Sequence, residues 1–159
     1  MHDPAPVSKL LTELASFVPR LQMALLAAAP SNWQYRPRRN EWSLVELICH
    51  LRDVEREIHQ LRFRALIAQD NAFIAGADPD RWTEERGYQH QNGERAMAEF
   101  AAARQETVLL LQDLSPEMWQ RRGRHAFFGP TSMHELLSLV VQHDQAHWQQ
   151  VQVALVPGF

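Results

Sequence analysis

The sequence predicts an all-α fold, a four-helix bundle with a long link between its second and third helices. The first reason is where glycine and proline fall. All six glycines and every proline but Pro19 lie outside four stretches, 7–28, 43–69, 94–114 and 132–155, and both residues are costly inside a helix and cheap in turns. The second is that each stretch repeats apolar residues at i, i+3, i+4 and i+7, the stripe of an amphipathic helix. The third is the absence of strand patterning: no period-two alternation is bounded by hairpin dipeptides, and Asn92-Gly93 precedes a helical pattern. Four such stripes are buried most simply against one another.

The first stretch carries Val7, Leu10, Leu14, Phe17, Val18, Leu21 and Leu25. Pro19 removes a backbone donor and crowds the preceding turn, so a kink there or a later helix start is expected. The second opens with Ser43-x-x-Glu46, a capping box that satisfies the orphan amides of a first turn, and continues Leu44, Leu47, Leu51, Val54, Ile58, Leu61. The third carries Met97, Phe100, Ala101, Val108, Leu111 and Leu114; the fourth opens with a second capping box, Ser132-x-x-Glu135, and runs Leu136, Val140, Val151, Ala154. The link 70–92 holds Phe73, Trp82 and Tyr88, so it is expected to pack over the bundle mouth.

At 159 residues and 18.4 kDa the chain fits one domain spanning 1–159. A net charge of −3 argues against a binder of nucleic-acid backbone, and Arg38-Arg39 and Arg121-Arg122-Arg124 read as solvated rims. The longest apolar run, Met23 to Ala29, is far short of the roughly 20 residues that cross a bilayer. The start, MHDPAPVS, lacks a signal-peptide pattern, and Cys49 is the only cysteine, so a cytoplasmic location is expected.

Eight histidines stand out, and the helical step of about 100° per residue sorts them by face. With His143 at zero, Leu136, Val140, Val151 and Ala154 lie within about 20–80° and His147 at about 40°, mid-stripe. His143 and His147 are therefore one turn apart on an inward face, a spacing that lets two imidazoles converge on one ion. His50 sits at the edge of the second helix's stripe, with Asp53 and Glu57 on its other flank as acceptors for an imidazole N–H. His59 and His134 fall about 180° from these, at the surface or a subunit contact. A histidine pair on a helix also fits two hydrogen-bonded structural side chains, but inward imidazoles need partners that hydrocarbon does not offer.

Arg104 is a second misfit, a guanidinium within the third helix's apolar stripe. It reads either as an internal ion pair with Asp144 or Glu57, or as a clamp for a substrate carboxylate. Other metal motifs fail. His134-Glu135 begins His-Glu-x-x-His but meets Ser138 at the fifth position, and the nearest relative of a di-iron Glu-x-x-His motif is a single Asp144-x-x-His147.

The stretches NEWSLVELICHLRDVEREI and FGPTSMHELLSLVVQHDQAHWQQV, with weaker support from MAEFAAARQETVLLLQDLSPEMW, resemble the DinB-like (DinB/YfiT) superfamily of metal-binding four-helix bundles. In that family a histidine of the second helix and a His-x-x-x-His pair of the fourth bind one divalent metal, zinc or nickel. The matching positions are His50, His143 and His147. The resemblance implies a divalent-metal-dependent enzyme acting on a small molecule, either a hydrolase or a transferase using a low-molecular-weight thiol. Three imidazoles leave a fourth position of the metal open, as catalytic sites do. Asp144 and Asp53 are the candidate catalytic residues and Arg104 the candidate substrate-binding one; a homodimer is expected, with neither nucleic acid nor membrane as partner. The alternative is a non-catalytic, metal-stabilised stress-response bundle that binds a small molecule or a protein.

Overall fold

The computed structural model describes residues 5–156. Helix α1 (Val7–Leu25) turns Leu10, Leu14, Phe17, Val18, Leu21 and Leu25 inward. It begins at Val7 and runs through Pro19, so the later start does not occur. Pro19 and Ala15, whose carbonyl the proline deprives of a donor, are both exposed, and water can take that carbonyl.

Helix α2 (Leu44–Val54), a π-helical turn (Glu55–His59) and α3 (Gln60–Ala68) form the second long rod. Its capping box is made: Ser43 N donates to Glu46 Oε2 at 2.8 Å and Glu46 N donates to Ser43 Oγ at 3.4 Å. Two longer helices follow, α5 (Gly93–Leu111) behind the Asn92 cap and α7 (Met133–Leu155) behind the Ser132–Glu135 capping box, with the short helices α4 (Trp82–Glu85) and α6 (Pro116–Gln120) in the connections. The link across 69–92 is pinned to α2. Tyr88, fully buried, donates its hydroxyl to Asp53 Oδ2 at 2.7 Å, and Arg86 reaches Asp53 at 2.8 Å and Glu57 at 2.7 Å. Phe73, in the same link, is 62% exposed.

A small sheet corrects the expectation of no strands. β1 (Phe73–Ile74) pairs parallel with β2 (Arg122–His125), which pairs antiparallel with β3 (Gly129–Ser132). The inward residues of β2 are Gly123 and His125, not apolar β-branched ones, so hydrophobic alternation cannot reveal it. Gly123 is needed for close approach, since a Cβ there would stand 2.7 Å from Ile74 Cδ1 and 2.8 Å from the Ala72 carbonyl. The class stays helical, with 68% of the described residues in helices. Arg121 is no solvated rim either: it donates to the Ile67 carbonyl at 2.8 Å and closes the end of α3.

The core falls into two apolar clusters. One joins Phe17, Leu21, Leu47, Leu51, Phe100, Val151 and Ala154; the other joins Leu10, Leu14, Phe63, Leu66, Leu111, Leu136 and Val140. On three of the long elements the stretch between the two clusters carries inward polar residues: Glu55, His59 and Gln60 on the second rod, Arg104 and Thr107 on α5, His143 and Asp144 on α7. A polar layer thus crosses the middle of the bundle. No helix among the described residues is long and apolar enough to cross a membrane.

Candidate metal centre

His50 on α2 and His143 and His147 on α7 turn their ring nitrogens toward one another. The Nε2 atoms of His50 and His143 are 3.3 Å apart, those of His147 and His143 3.1 Å, and all three candidate ligand atoms lie within 4.8 Å of one another. Ligands held tetrahedrally at the Zn–N distance of about 2.0–2.1 Å are separated by about 3.3–3.4 Å. The donor set fits a divalent ion with modest adjustment.

The protonation chemistry points the same way. His147 Nδ1 donates to Gln150 Oε1 at 2.6 Å, which fixes the tautomer with a bare Nε2 and orients the ring as an outer hydrogen-bond partner of a metal ligand does. His50 Nδ1 and His143 Nδ1 are buried and have no partner among the described residues. One proton can bridge one pair of facing Nε2 atoms, and the third lone pair then faces nitrogen. Charging the rings does not relieve this. Burial, reinforced by His147 and His59, pushes the His50 imidazole down to about 3, and burial holds His143 well below its ordinary value. Trp42 closes one side, stacked on His147 at 6.1 Å and tilted against His50 at 4.8 Å.

Contrary to the expectation of a surface position, His59 is 7% exposed, with its ring edge-on to His143 at 5.1 Å. The cause is the π turn. It inserts one residue into the α-helical count, setting the phase of everything after it back by about 100° and bringing His59 from the outer face to the inner one. Its Nδ1 lies 3.2 Å from Glu55 Oε2. No α-helical count from sequence could place it.

Glu55 leads into a second buried cluster. All five N–H bonds of Arg104 are used: two to Glu55 at 2.9 and 3.0 Å, two to Asp144 at 2.6 and 3.0 Å, one to the Leu14 carbonyl at 3.2 Å. Arg104 is 2% exposed, so it offers nothing to a substrate carboxylate; the internal ion pair is formed, with Glu55 in the place expected of Glu57. Burial raises the Glu55 carboxyl, but Arg104 and His59 outweigh it and hold Glu55 well below the carboxylate range. Asp144 moves the other way. Burial raises it, and it lacks the Thr107 hydroxyl that donates to Glu55 at 2.6 Å. Both oxygens of Asp144 are taken by Arg104, which leaves it beside His143 in sequence but facing away in its bonding.

Asp53 also serves another purpose than expected. It accepts from Arg52 at 2.7 Å, from Arg86 and from Tyr88, and makes no bond to His50. His134 lies away from the cluster, with its Nε2 2.8 Å from the Ala5 carbonyl.

A family model described as the DinB superfamily matches residues 15–151. The chain belongs to the DinB superfamily. Among solved structures, YfiT from Bacillus subtilis matches with a TM-score of 0.84 at 17% identity, covering 97% of this chain and 90% of that one. YfiT is described as "a probable metal-dependent hydrolase with an unusual four-helix bundle topology". At that identity the likeness establishes the shared fold. No curated protein matches the chain.

Within this DinB-superfamily bundle a cavity of about 190 Å³ adjoins the cluster, with His59 and His143 among its walls and Arg62, Phe63, Phe128 and Val140 around them. Larger surface cavities, such as one of 520 Å³ bounded by Arg36, Asp80 and Glu84, include none of the three histidines.

Proposed function

We propose that the chain is a divalent-metal-dependent enzyme acting on a small molecule, a hydrolase that holds one zinc or nickel ion through His50, His143 and His147. The observation that supports it most is the convergence of the three facing Nε2 atoms at ligand spacing. When bound, such an ion supplies Lewis-acid chemistry and makes a water or thiol acidic near neutral pH. The chain's own groups do the rest. Gln150 fixes the His147 tautomer, Trp42 shields the rings from bulk water, and the cavity at His143 receives the substrate. The Arg104 layer sets one positive charge against two carboxylates, which favours a cation at the adjoining histidines. The description of YfiT as a metal-dependent hydrolase supports water over a thiol as the attacking group.

Elemental analysis of the purified protein is expected to give about one divalent ion per chain, lost in His50→Ala, His143→Ala and His147→Ala. Turnover of small activated esters and amides, measured with and without an added low-molecular-weight thiol and after chelation, then separates the readings. Metal-dependent release without thiol supports the hydrolase, and release that needs thiol makes the chain a thiol transferase. Metal binding with no turnover of either kind returns the bundle to a binding role.

A further inference from the structure

The cavity beside His143 carries information about what enters it. Arg62 lies three residues after His59 on the same helix face, so the π turn that brings His59 inward brings Arg62 to the same cavity. Arg52, Arg86 and Arg104 each pair with carboxylates, whereas Arg62 pairs with none among the described residues. Its one hydrogen bond goes from Nη2 to the Ala75 carbonyl at 3.1 Å, and half-burial without a counter-ion lowers its affinity for its proton. A desolvated, unpaired guanidinium is costly unless an anion joins it.

A second unpaired donor lies against the Phe128 wall and not among the cavity's lining residues. His125 follows in β2 at the register position of Ile74, next to Ala75. Its Nδ1 accepts from Phe127 N at 3.1 Å, so the neutral ring carries its proton on Nε2. That Nε2–H is buried and has no partner among the described residues. The ring is 3% exposed, lies 4.7 Å from the Phe128 ring that walls the cavity, and feels the charge of Arg62. The remaining walls, Phe63, Leu136, Leu139 and Val140, are apolar. An apolar cavity of about 150 Å³ is enough for a benzene ring, so 190 Å³ takes one aromatic ring or a short branched acyl chain.

We infer that Arg62 forms an anion subsite at this cavity, and that the substrate is a small carboxylate with an apolar body lying between Arg62 and His143. This rests on the proposal that the three histidines form the reacting centre. The subsite itself contains none of them. The carboxylate clamp that the sequence suggested for Arg104 thus belongs to Arg62.

Titration calorimetry with phenylacetate, phenylacetamide and acetate tests the inference on the full chain, zinc-loaded and after chelation. Phenylacetate is expected to bind both forms, with phenylacetamide and acetate at least tenfold weaker. Arg62→Met should weaken phenylacetate at least tenfold and leave phenylacetamide unchanged; Arg62→Lys should recover part of the loss. Leu139→Trp, at a half-buried position, should fill the cavity and abolish binding of both aromatic probes with the melting transition intact. Equal binding of phenylacetate to wild type and Arg62→Met overturns the subsite, and so does binding that disappears on chelation, which would place the carboxylate on the metal. A chain that binds zinc but none of the probes also overturns it while leaving the metal reading standing. Arg62-dependent binding by a chain that takes up no metal supports the subsite and removes the metal reading.

Discussion

Two groups of buried polar side chains lie against each other in the middle of this bundle, and they differ in how their bonding is closed. In the first, Arg104, Glu55, Asp144 and Thr107 spend every guanidinium hydrogen on a protein acceptor. In the second, His50, His143 and His147 face one another across 3.1–3.3 Å, with two ring nitrogens bonded to nothing among the described residues. His59 touches both, through Glu55 on one side and the His143 ring on the other. A buried polar group without a partner costs about 1–3 kcal/mol, whereas a closed network can hold a fold together. The first cluster is complete in the protein alone; the second leaves facing Nε2 atoms without an acceptor or donor for each.

The largest effect that would test this contrast lies in the closed cluster. Arg104→Met leaves Glu55 and Asp144 buried together without a cation, and removing one partner of a buried ion pair costs about 3–5 kcal/mol. Chemical denaturation is expected to show a loss of that size, and zinc should not restore it. A loss under about 1 kcal/mol, the range of exposed pairs, would mean that the layer is hydrated and not a structural clamp.

The open cluster should respond to metal instead. A ligand that binds only the folded state at one hundred times its Kd stabilises by about 2.7 kcal/mol. Wild type should gain that in zinc and His143→Ala should gain nothing. His134→Ala should behave as wild type, since His134 bonds the Ala5 carbonyl away from the cluster. Equal gains in all three proteins would place the metal elsewhere.

How much of this could be read from the sequence depended on whether a regular helical count survived. The four long helices, both capping boxes and the inward phases of His50, His143 and His147 follow from spacing alone, because α2 up to Val54 and all of α7 are regular. His59 and Arg62 lie at and beyond a π turn, which changes the phase and has no composition signature. Glu55 is not singled out by spacing, since its partner Arg104 is distant in sequence and no local pattern joins them. The β2–β3 hairpin escaped because its inward positions are glycine and histidine. Trp42 precedes the second helix, where no periodicity places a side chain over the histidines.

Acid should weaken both clusters, but in different pH windows. His50 has an ordinary value of 6.5 and is pushed down to about 3 in the fold, so the unfolded chain binds its proton first and stability falls with pH between those limits. That amounts to about 1.4 kcal/mol per pH unit below 6.5 for His50 alone. Glu55, held below its ordinary 4.5, adds stability that is fully present above that value and is lost only at lower pH. Metal-free wild type should therefore weaken between pH 6.5 and 5.5 more steeply than His50→Leu. Parallel curves would mean that the His50 proton is not excluded by the fold.

The smallest effect locates the strain within the open cluster. The helical count sets His147 mid-stripe, but the structure leaves it half-buried, with Gln150 accepting from Nδ1 and Trp42 stacked on its ring. The buried member is His50, 1% exposed, with an unpartnered Nδ1. Replacing it by leucine removes an orphaned polar atom and keeps an apolar body in its place, so metal-free His50→Leu should gain about 1 kcal/mol. His147→Leu sacrifices a hydrogen bond and a ring stack, and metal-free His147→Leu should lose about 0.5–1.5 kcal/mol. Both variants should lose the response to zinc. Denaturant melts in chelator and in zinc measure all four values. A gain in His147→Leu equal to that in His50→Leu would show the strain to be spread over the facing Nε2 atoms and not held at the buried ring.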